Sequence, residues 1–339
     1  MHTVIIAEAG VNHNGSLEMA KKLIDVAAEA GVDYVKFQTF KTSKLVSKKA
    51  AKADYQVDNK HNKCNSQYSM LKKLELTREM HYELIAYCRQ KSVLFLSTAF
   101  DPESIELLDE LNIDFFKIPS GEITNKPYLL RIAQKRRPIV LSTGMANIKE
   151  VKDAVDVMIA GGLKKSQISI LHCNTEYPTP YENVNLKAML HIKEELNISV
   201  GYSDHTNGIE IPVAAVALGA TIIEKHFTLD RSLPGPDHKA SLEPSELKAM
   251  VSAIRNVEMA VAGSGLKEPS AGELQNINVA RKSIHLSKAH KKGTILNSDS
   301  LIMKRPGDGI SPMEYEKVVG KKVNTDLPYD HKLIWEDLS

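Results

Sequence analysis

The sequence predicts an α/β protein, built as a TIM (β/α)8 barrel followed by a small, mostly β domain. Three observations lead to this prediction: the length of 339 residues, eight short apolar runs that each precede a helical pattern, and a change of composition near residue 263. The chain has 44 basic and 42 acidic residues, and 42% of its residues are hydrophobic. These values are ordinary for a globular protein, so disordered, collagen-like and coiled-coil proteins are excluded.

The apolar or β-branched runs are typical of buried parallel strands. In chain order they cover residues 3–8, 33–39, 93–98, 114–118, 138–142, 168–173, 198–202 and 220–225. Eight strand–helix units over about 260 residues match the size of a TIM barrel. A doubly wound open sheet is the main alternative, but the turn after the first run, residues 9–15, lacks the GxGxxG pattern frequent in that fold.

Capping residues mark where the helices between these runs begin and end. Ser16 precedes the first helix and Gly31 follows it. Asn147 and Glu150 have the spacing of a capping box. The last helix of the barrel is predicted over Glu243–Ala262, where apolar residues recur on one face.

The composition divides the chain into two domains. The barrel is predicted over residues 1–262, and residues 263–280, rich in Gly, Ser, Pro, Lys and Glu, are predicted to be a linker. Residues 281–339 are predicted to form the second domain, with strand-like pieces at 282–286, 301–304 and 321–323. A unit this small has only a marginally stable core unless it packs against another domain or subunit.

Composition also limits the partners and the compartment. The net charge is only +2 and the basic residues are dispersed, so we expect no nucleic-acid partner. The longest apolar run, residues 211–220, is too short to span a bilayer, so we expect no membrane association. Cys64, Cys88 and Cys173 lack CxxC spacing, which argues against a disulfide framework or a structural zinc site and favours the cytoplasm.

Polar residues collect at the carboxyl ends of the predicted strands, where a TIM barrel keeps its active site. A single polar residue at such a position is most simply explained by exposure of the strand end to solvent, but all eight predicted strands end in polar residues. The residues are Glu8, Lys36, Gln38, Ser97, Thr98, Lys117, Ser120, Glu122, Ser142, Thr143, Asn174, Thr175, Ser203, Asp204, His205, Glu224, Lys225 and His226. The sequence therefore predicts one polar site at this end of the barrel.

Two histidines, His205 and His226, end consecutive strands and can converge on one metal ion. Two imidazoles leave positions open for water and substrate oxygens, as a catalytic metal requires. A lone histidine is more often a core residue, but the flanking Asp204 and Glu224 favour a metal. These residues do not by themselves choose the metal, although mixed imidazole and oxygen ligation is compatible with Mn²⁺ more than with Ca²⁺. We expect a divalent ion, Mn²⁺ first, with Mg²⁺ or Co²⁺ as alternatives.

Two lysines, Lys36 and Lys117, lie on predicted buried strands, where an ammonium group is costly unless it meets an anion. A phosphate or carboxylate of the substrate is the expected partner. Ser120 and Ser142 could add neutral donors, and the N-terminus of the helix after Ser142 also favours anions. Pairing with a strand-end carboxylate, Glu8 or Glu122, and Schiff-base chemistry remain alternatives.

Ten motifs in order resemble the sialic acid synthase family, in which a TIM barrel precedes an antifreeze-like (SAF) domain of the β-clip type. They are IAEAGVNHNGS (6–16), VKFQTF (35–40), STAFD (97–101), KIPSGE (117–122), LSTGM (141–145), HCNTEYPTP (172–180), GYSDHT (201–206), EKHFTLD (224–230), GPDHKASLEP (235–244) and KRPGDGISP (304–312). Any one motif is weak evidence for this family, but ten motifs in this order, spread over nearly the whole chain, are highly specific for it.

The resemblance implies a transferase that condenses phosphoenolpyruvate with N-acetylmannosamine, giving N-acetylneuraminate and phosphate. Legionaminic acid synthases, which use 2,4-diacetamido-2,4,6-trideoxymannose, and pseudaminic acid synthases share these motifs and remain alternatives. In this family a metal ion, rather than a Schiff base, assists the reaction. A non-catalytic binding protein is the alternative from another class, but it has no use for so many buried charges.

The resemblance also implies roles for single residues. His205 and His226 would hold the metal, with Glu8 and Glu122 as proton-handling groups beside it. The expected phosphoenolpyruvate ligands are Lys36, Lys117, Ser120, Ser142 and Thr175, with Asn174 as an alternative to Thr175, and the expected sugar ligands are Gln38, Tyr177, Asp237 and Arg305. A further phosphate ligand is expected from residues 54–70, where no residue matches. Arg305 would reach the barrel of the partner subunit in a homodimer with swapped SAF domains.

Overall fold

The computed structural model describes residues 2–49 and 66–339 and divides into two compact units, Met1–Gly263 and Ser264–Ser339. The first unit is a closed barrel of eight parallel strands in sequential order, so the predicted TIM barrel is confirmed. Its strands are β1 (Val4–Gly10), β2 (Tyr34–Thr39), β3 (Leu94–Ala99), β4 (Phe116–Ile118), β5 (Ile139–Ser142), β6 (Ile168–Cys173), β7 (Ser199–Asp204) and β8 (Ile222–His226).

The barrel interior is filled by apolar side chains from five strands. Successive side chains of a strand point to opposite faces, so residues two apart share a face. The buried interior cluster is Ile6, Leu96, Val140, Leu171 and Ile222. Two positions beyond each of these, in the same order, the chain has Glu8, Thr98, Ser142, Cys173 and Glu224. Each strand therefore closes the barrel with an apolar residue and then presents a polar residue above it.

Helices surround the barrel, and most of them bury an apolar face against the outer side of the strands, whereas the two short helices after the second strand pack in a separate cluster around Val11, Phe40 and Leu74. They are α1 (Leu17–Ala30), α2 (Thr42–Leu45), α3 (Gln67–Lys72), α4 (Arg78–Gln90), α5 (Pro102–Glu110), α6 (Lys126–Ala133), α7 (Ile148–Ala160), α8 (Ala188–Leu196), α9 (Glu210–Ala217) and α10 (Pro244–Val261). Gly31 ends α1 with φ 78°, a left-handed conformation that favours glycine. Asn147 and Glu150 form the predicted capping box.

The segment predicted to be a linker contains a helix, α11 (Ala271–Ala280). Its apolar residues do not recur on one face, and none of its residues is buried. The spacing of apolar residues therefore did not predict this helix. Ser270 and Glu273 begin the helix with a capping box. Local capping, rather than burial of an apolar face, therefore defines this helix.

The second unit has its own apolar core, formed by ten buried residues that include Ile284, Leu286 and Leu333. Strands β9 (Ser283–Leu286) and β10 (Leu301–Lys304) pair antiparallel, and α12 (Tyr315–Val318) follows. The third predicted strand, residues 321–323, instead forms two isolated bridges, Ile295 with Lys322 and Val323 with Leu338. No helix in the described part of the chain is long and apolar enough to cross a membrane.

Candidate active site

A cavity of about 290 Å³ lies at the carboxyl ends of the barrel strands. It brings together eleven of the thirteen residues to which the sequence assigned a role: Glu8, Lys36, Gln38, Lys117, Ser120, Ser142, Thr175, Tyr177, His205, His226 and Asp237. Apolar residues such as Val11, Met70 and Phe100 complete the wall. Side chains that are distant in sequence converge here because parallel strands all end at the same rim of the barrel.

Two lysines and two glutamates form a buried network at the bottom of the cavity. Lys36 Nζ lies 2.9 Å from Glu8 Oε2 and 3.6 Å from Glu224 Oε2, and it donates to Thr98 Oγ1 at 3.1 Å. Lys117 Nζ lies 3.3 Å from Glu224 Oε1. None of the four charged residues is more than 5% exposed. Lys36 therefore pairs with Glu8, which was one of the alternatives left open by the sequence, whereas Lys117 pairs with Glu224, which the sequence analysis had not named as a partner.

The two glutamates of this network differ in their pKa. Burial raises the pKa of Glu8 to about 7, because the opposing attraction of Lys36 is smaller than the cost of desolvation. Burial also acts to raise the pKa of Glu224, but Lys117 and Lys36 together outweigh it and lower that pKa to about 2. Glu224 is therefore ionised between two ammonium groups, while Glu8 titrates near neutrality.

Three hydroxyl groups meet beside the turn that follows β5. Ser120 Oγ accepts a hydrogen bond from Gly144 N at 2.8 Å. A Cβ on Gly144 would lie 2.2 Å from Thr175 Oγ1 and 2.9 Å from Ser120 Oγ, so only glycine fits between them. Ser142 Oγ is buried and has no hydrogen-bond partner in the described chain. Free and converging hydroxyl groups of this kind suit an anionic ligand.

The helix after this turn satisfies two of its N-terminal donors internally, and its expected part in the anion site stays a prediction. Helix α7 begins at Ile148, and the side chain of Asn147 accepts from the backbone N–H of Glu150. The Glu150 side chain in turn accepts from the backbone N–H of Asn147. The capping box therefore satisfies donors that a bound anion would need.

His205 and His226 lie side by side in the cavity, with ring centroids 5.5 Å apart. His205 Nδ1 contacts the Asn174 carbonyl oxygen at 2.5 Å. Because a carbonyl oxygen only accepts, Nδ1 carries the proton and Nε2 has a free lone pair. His226 Nδ1 is buried, has no hydrogen-bond partner in the described chain and lies 4.0 Å from Asp237 Oδ2.

This arrangement fits a divalent ion with two protein nitrogen ligands. Nδ1–H donation to a carbonyl is the usual way in which a protein orients a metal-binding histidine. Across residues 2–49 and 66–339, no group of three or more His, Cys, Asp or Glu side chains is arranged as a metal site. The metal assignment therefore concerns the histidine pair, with the remaining positions left to water and substrate.

Two of the expected sugar ligands, Gln38 and Asp237, lie close together around the end of β1, and a third, Tyr177, lies beside His205. Glu8 Oε1, Gln38 Nε2 and Asp237 Oδ2 all lie within 3.5 Å of the position that a Cβ on Gly10 would occupy. Gln38 Nε2 donates to Glu8 Oε1 at 3.2 Å. The Tyr177 ring lies 4.2 Å from the His205 ring. These groups combine an aromatic face with donors and acceptors, which suits a polyhydroxylated ligand.

Two residues expected in the site are not among those lining the cavity. Glu122 lies on the 3-10 turn Ser120–Glu122, and its Oε2 accepts from Asn125 Nδ2 at 2.6 Å, beside the start of α6. Glu122 therefore does not lie with the other eleven residues along the cavity wall, and its expected role beside the metal stays a prediction. Arg305 belongs to the second unit, where its Nε donates to the Ala280 carbonyl oxygen at 3.0 Å. Its expected role toward a partner barrel stays a prediction.

Thr98, Ser203 and Cys173 line the cavity although the sequence analysis gave none of them a role, and so does Glu224, which it named only as a neighbour of the histidine pair. Glu224 lies two residues before His226, so the alternation of side chains along β8 was the signal that could have identified it. Ser203 Oγ donates to Glu224 Oε1 at 3.2 Å, on the neighbouring strand. In the loop that was expected to give a further phosphate ligand, residues 54–65 lie outside the described residues.

Comparison with known proteins gives matches to both units. Residues 23–267 match the NeuB family, and residues 281–339 match the SAF domain. The chain is 54% identical to the N,N'-diacetyllegionaminic acid synthase of Campylobacter jejuni, over 94% of this chain and 95% of that protein. It is 47% identical to the protein of the same name from Legionella pneumophila, over 100% and 95%.

A solved structure gives a similar result. The N-acetylneuraminic acid (sialic acid) synthetase of Leptospira borgpetersenii matches with a TM-score of 0.71 at 34% identity, over 82% of this chain and 90% of that one. Together, the fold and the site define a barrel transferase that forms carbon–carbon bonds with phosphoenolpyruvate. The chain belongs to the NeuB family, the sialic acid synthase family that its ten motifs resemble.

Proposed function

We propose that this chain condenses phosphoenolpyruvate with 2,4-diacetamido-2,4,6-trideoxymannose to form N,N'-diacetyllegionaminate and phosphate. C3 of phosphoenolpyruvate bonds to the aldehyde carbon of the sugar, water adds to C2, and phosphate leaves. The supporting observation is the identity of 54% and 47% to two proteins named for this product, against 34% to the sialic acid synthetase. This sugar replaces N-acetylmannosamine, which the motifs had placed first.

Phosphoenolpyruvate would bind across the lysine network and the converging hydroxyl groups. Lys36 and Lys117 are held by Glu8 and Glu224 at the bottom of the cavity. An incoming phosphate or carboxylate would give these ammonium groups a further anionic partner without any change in their burial. The free hydroxyl group of Ser142 and the hydroxyl groups beside Gly144 would complete the anion site.

His205 and His226 would hold the divalent ion, for which Mn²⁺ is the first choice. When bound, such an ion supplies Lewis-acid polarisation of the sugar aldehyde. Gln38 and Asp237 would orient the sugar, and Tyr177 would offer its ring beside His205. Glu8 is the proton-handling carboxyl that this arrangement favours, because it lines the cavity and Glu122 does not.

The test is phosphate release from phosphoenolpyruvate with Mn²⁺ and one of three sugars: the diacetamido trideoxymannose, N-acetylmannosamine, or the altrose-configured substrate of pseudaminic acid synthases. The product is identified by mass. We expect the first sugar to give a kcat/KM at least about tenfold above the others, since specificity for one sugar depends on a few polar contacts. Phosphoenolpyruvate without sugar is the control.

Faster turnover with N-acetylmannosamine would instead identify an N-acetylneuraminate synthase, and faster turnover with the altrose would identify a pseudaminate synthase. Equal phosphate release with and without sugar would overturn the condensation itself. Absence of turnover with all three sugars would overturn the proposed substrate class.

A further inference from the structure

A buried ion pair lies on the outer side of β7 and β8, directly behind the two histidines. Asp204 and Lys225 are opposite each other in the strand register. Their neighbours Ser203, His205, Glu224 and His226 line the cavity, and side chains alternate along a strand. Asp204 and Lys225 therefore face away from the cavity, and each is only 1% exposed.

One ammonium group contacts both neighbours of His205, the side chain of the residue before it and the backbone of the residue after it. Lys225 Nζ donates to the Asp204 carboxylate and to the Thr206 carbonyl oxygen at 2.7 Å. Asp204 Oδ1 accepts from Thr206 N at 3.0 Å, and its Oδ2 accepts from Thr206 Oγ1 at 3.1 Å. Lys225 itself immediately precedes His226 in the chain.

His205 lies just after a strand, where its carbonyl oxygen accepts from Thr179 N at 2.8 Å. Strand β7 ends at Asp204, so His205 lies just beyond the regular hydrogen bonding of the barrel. The backbone can rotate more freely there than inside a strand. The contacts of Lys225 and Asp204 with Thr206 restrict this freedom from behind, while the Asn174 carbonyl oxygen holds the ring from the cavity side.

We propose that Lys225 and Asp204 are positioning residues that fix His205 and His226 relative to each other for metal binding. The proposal rests on the metal site of the proposed function. A buried ion pair is weak evidence for stability, because desolvation offsets the attraction between the charges. This pair instead satisfies its remaining hydrogen bonds with the backbone that carries one histidine, and it adjoins the other.

The experiment measures Mn²⁺ affinity directly, from the paramagnetic resonance signal of the free ion, in the full-length protein. The main variant replaces both charges, Lys225→Met with Asp204→Leu, because exchanging a buried pair for apolar residues is often neutral for folding. We expect a folded protein whose Mn²⁺ affinity is reduced about 10- to 100-fold, the size of effect typical of groups that orient metal ligands.

The control is a charged cluster at the opposite end of the same barrel. Glu258 is also buried, and its carboxylate accepts from Thr3 N and, at 2.9 Å, from Arg255 Nη1. Arg255 Nη1 also donates to the Thr3 carbonyl oxygen at 2.9 Å, just before β1. Glu258→Gln therefore weakens a comparable backbone clamp far from the histidines, and we expect its Mn²⁺ affinity to stay within about twofold of the native value.

Three results decide the matter. Native Mn²⁺ affinity in the double variant overturns the proposal, and so does an equal loss of affinity in Glu258→Gln, since general destabilisation would then explain both. If the double variant does not fold, the uncharged polar pair Lys225→Gln with Asp204→Asn replaces it, with the same expected direction. Unchanged Mn²⁺ binding in His226→Ala would instead refute the metal site of the proposed function, whatever the ion pair does.

Discussion

The charged side chains at the bottom of the cavity are buried away from solvent. Lys36 touches two carboxylates and Lys117 touches one, and all of these groups are buried. Removing one member of a buried ion pair leaves an uncompensated charge, which typically costs about 3–5 kcal/mol. Substitutions in this network therefore change folding and catalysis together. The histidine pair is a cleaner probe of the chemistry.

His226→Ala is expected to reduce turnover by more than about 100-fold, because it removes one of the two imidazoles assigned to the metal. The fold should remain, since His226 Nδ1 has no hydrogen-bond partner in the described chain to leave unsatisfied. Steady-state phosphate release and the circular dichroism spectrum give the two readouts. His191→Ala, which removes a histidine whose side chain is 56% exposed, is the control. Near-normal turnover of His226→Ala with Mn²⁺ would falsify the metal assignment.

At the scale of strands and turns, much of the site could be predicted from sequence. Side chains alternate along a strand, so the polar residues at the strand ends fall on the inner face together. Glu122 shows where this reasoning fails. Strand β4 ends at Ile118, and residues 120–122 form a 3-10 turn. A 3-10 turn has about three residues per turn, so Ser120 and Glu122 diverge, although two residues in a strand would share a face.

Other elements could not be predicted because their determinants are local or lie elsewhere in the chain. Helix α11 buries no residue, so its sequence has no periodic pattern, and its capping box was the only signal. The role of Glu224 depends on Lys117, which lies more than one hundred residues earlier and meets it only when the barrel closes. Strand periodicity could place Glu224 in the cavity but could not identify its partner.

The loop between β1 and α1 should make folding stability sensitive to acid. His13 in this loop is fully buried, its Nδ1 accepts from Gly15 N at 3.0 Å, and burial lowers its pKa from 6.5 to about 4. Between pH 6.5 and 4 the unfolded chain therefore binds a proton that the folded chain excludes. Stability contributed by neutral His13 is present above pH 6.5 and is lost as the pH falls toward 4, by up to about 1.4 kcal/mol per pH unit.

The measurement is the free energy of unfolding by denaturant at several pH values, in the native protein and in His13→Asn. Asparagine keeps an acceptor for the Gly15 N–H but cannot be protonated in this range. We expect a shallower loss of stability between pH 6.5 and 4 in the variant. Parallel curves would show that His13 does not contribute to the acid sensitivity.

At the scale of the whole molecule, the SAF domain should act on a partner's barrel. We propose the swapped homodimer that the resemblance implies, with Arg305 reaching the sugar site of the other subunit. His226→Ala and Arg305→Ala should each be nearly inactive alone. Mixed and allowed to exchange subunits, they should regain about a quarter of native activity, since half of the dimers then contain one intact site of two.

The control for this mixing experiment is His226→Ala mixed with Gln38→Ala, because both substitutions lie in the barrel. That mixture should regain no activity, because every barrel in it carries one of the two substitutions whichever SAF domain serves it, and subunit exchange is verified by differently tagged chains. Failure of the His226→Ala and Arg305→Ala mixture to regain activity, despite verified exchange, would show that Arg305 does not serve a neighbouring subunit.

The buried lysine network has a consequence for selectivity among solution anions. Because Glu8 and Glu224 accompany Lys36 and Lys117 inside the cavity, the protein carries its own counter-ions and needs none from the buffer. A chloride ion gains little by entering a site that is already neutralised, and it must give up its hydration to do so. A multiply charged substrate offers several acceptor oxygens at once. The empty enzyme should therefore resist inhibition by simple salts while still admitting phosphoenolpyruvate.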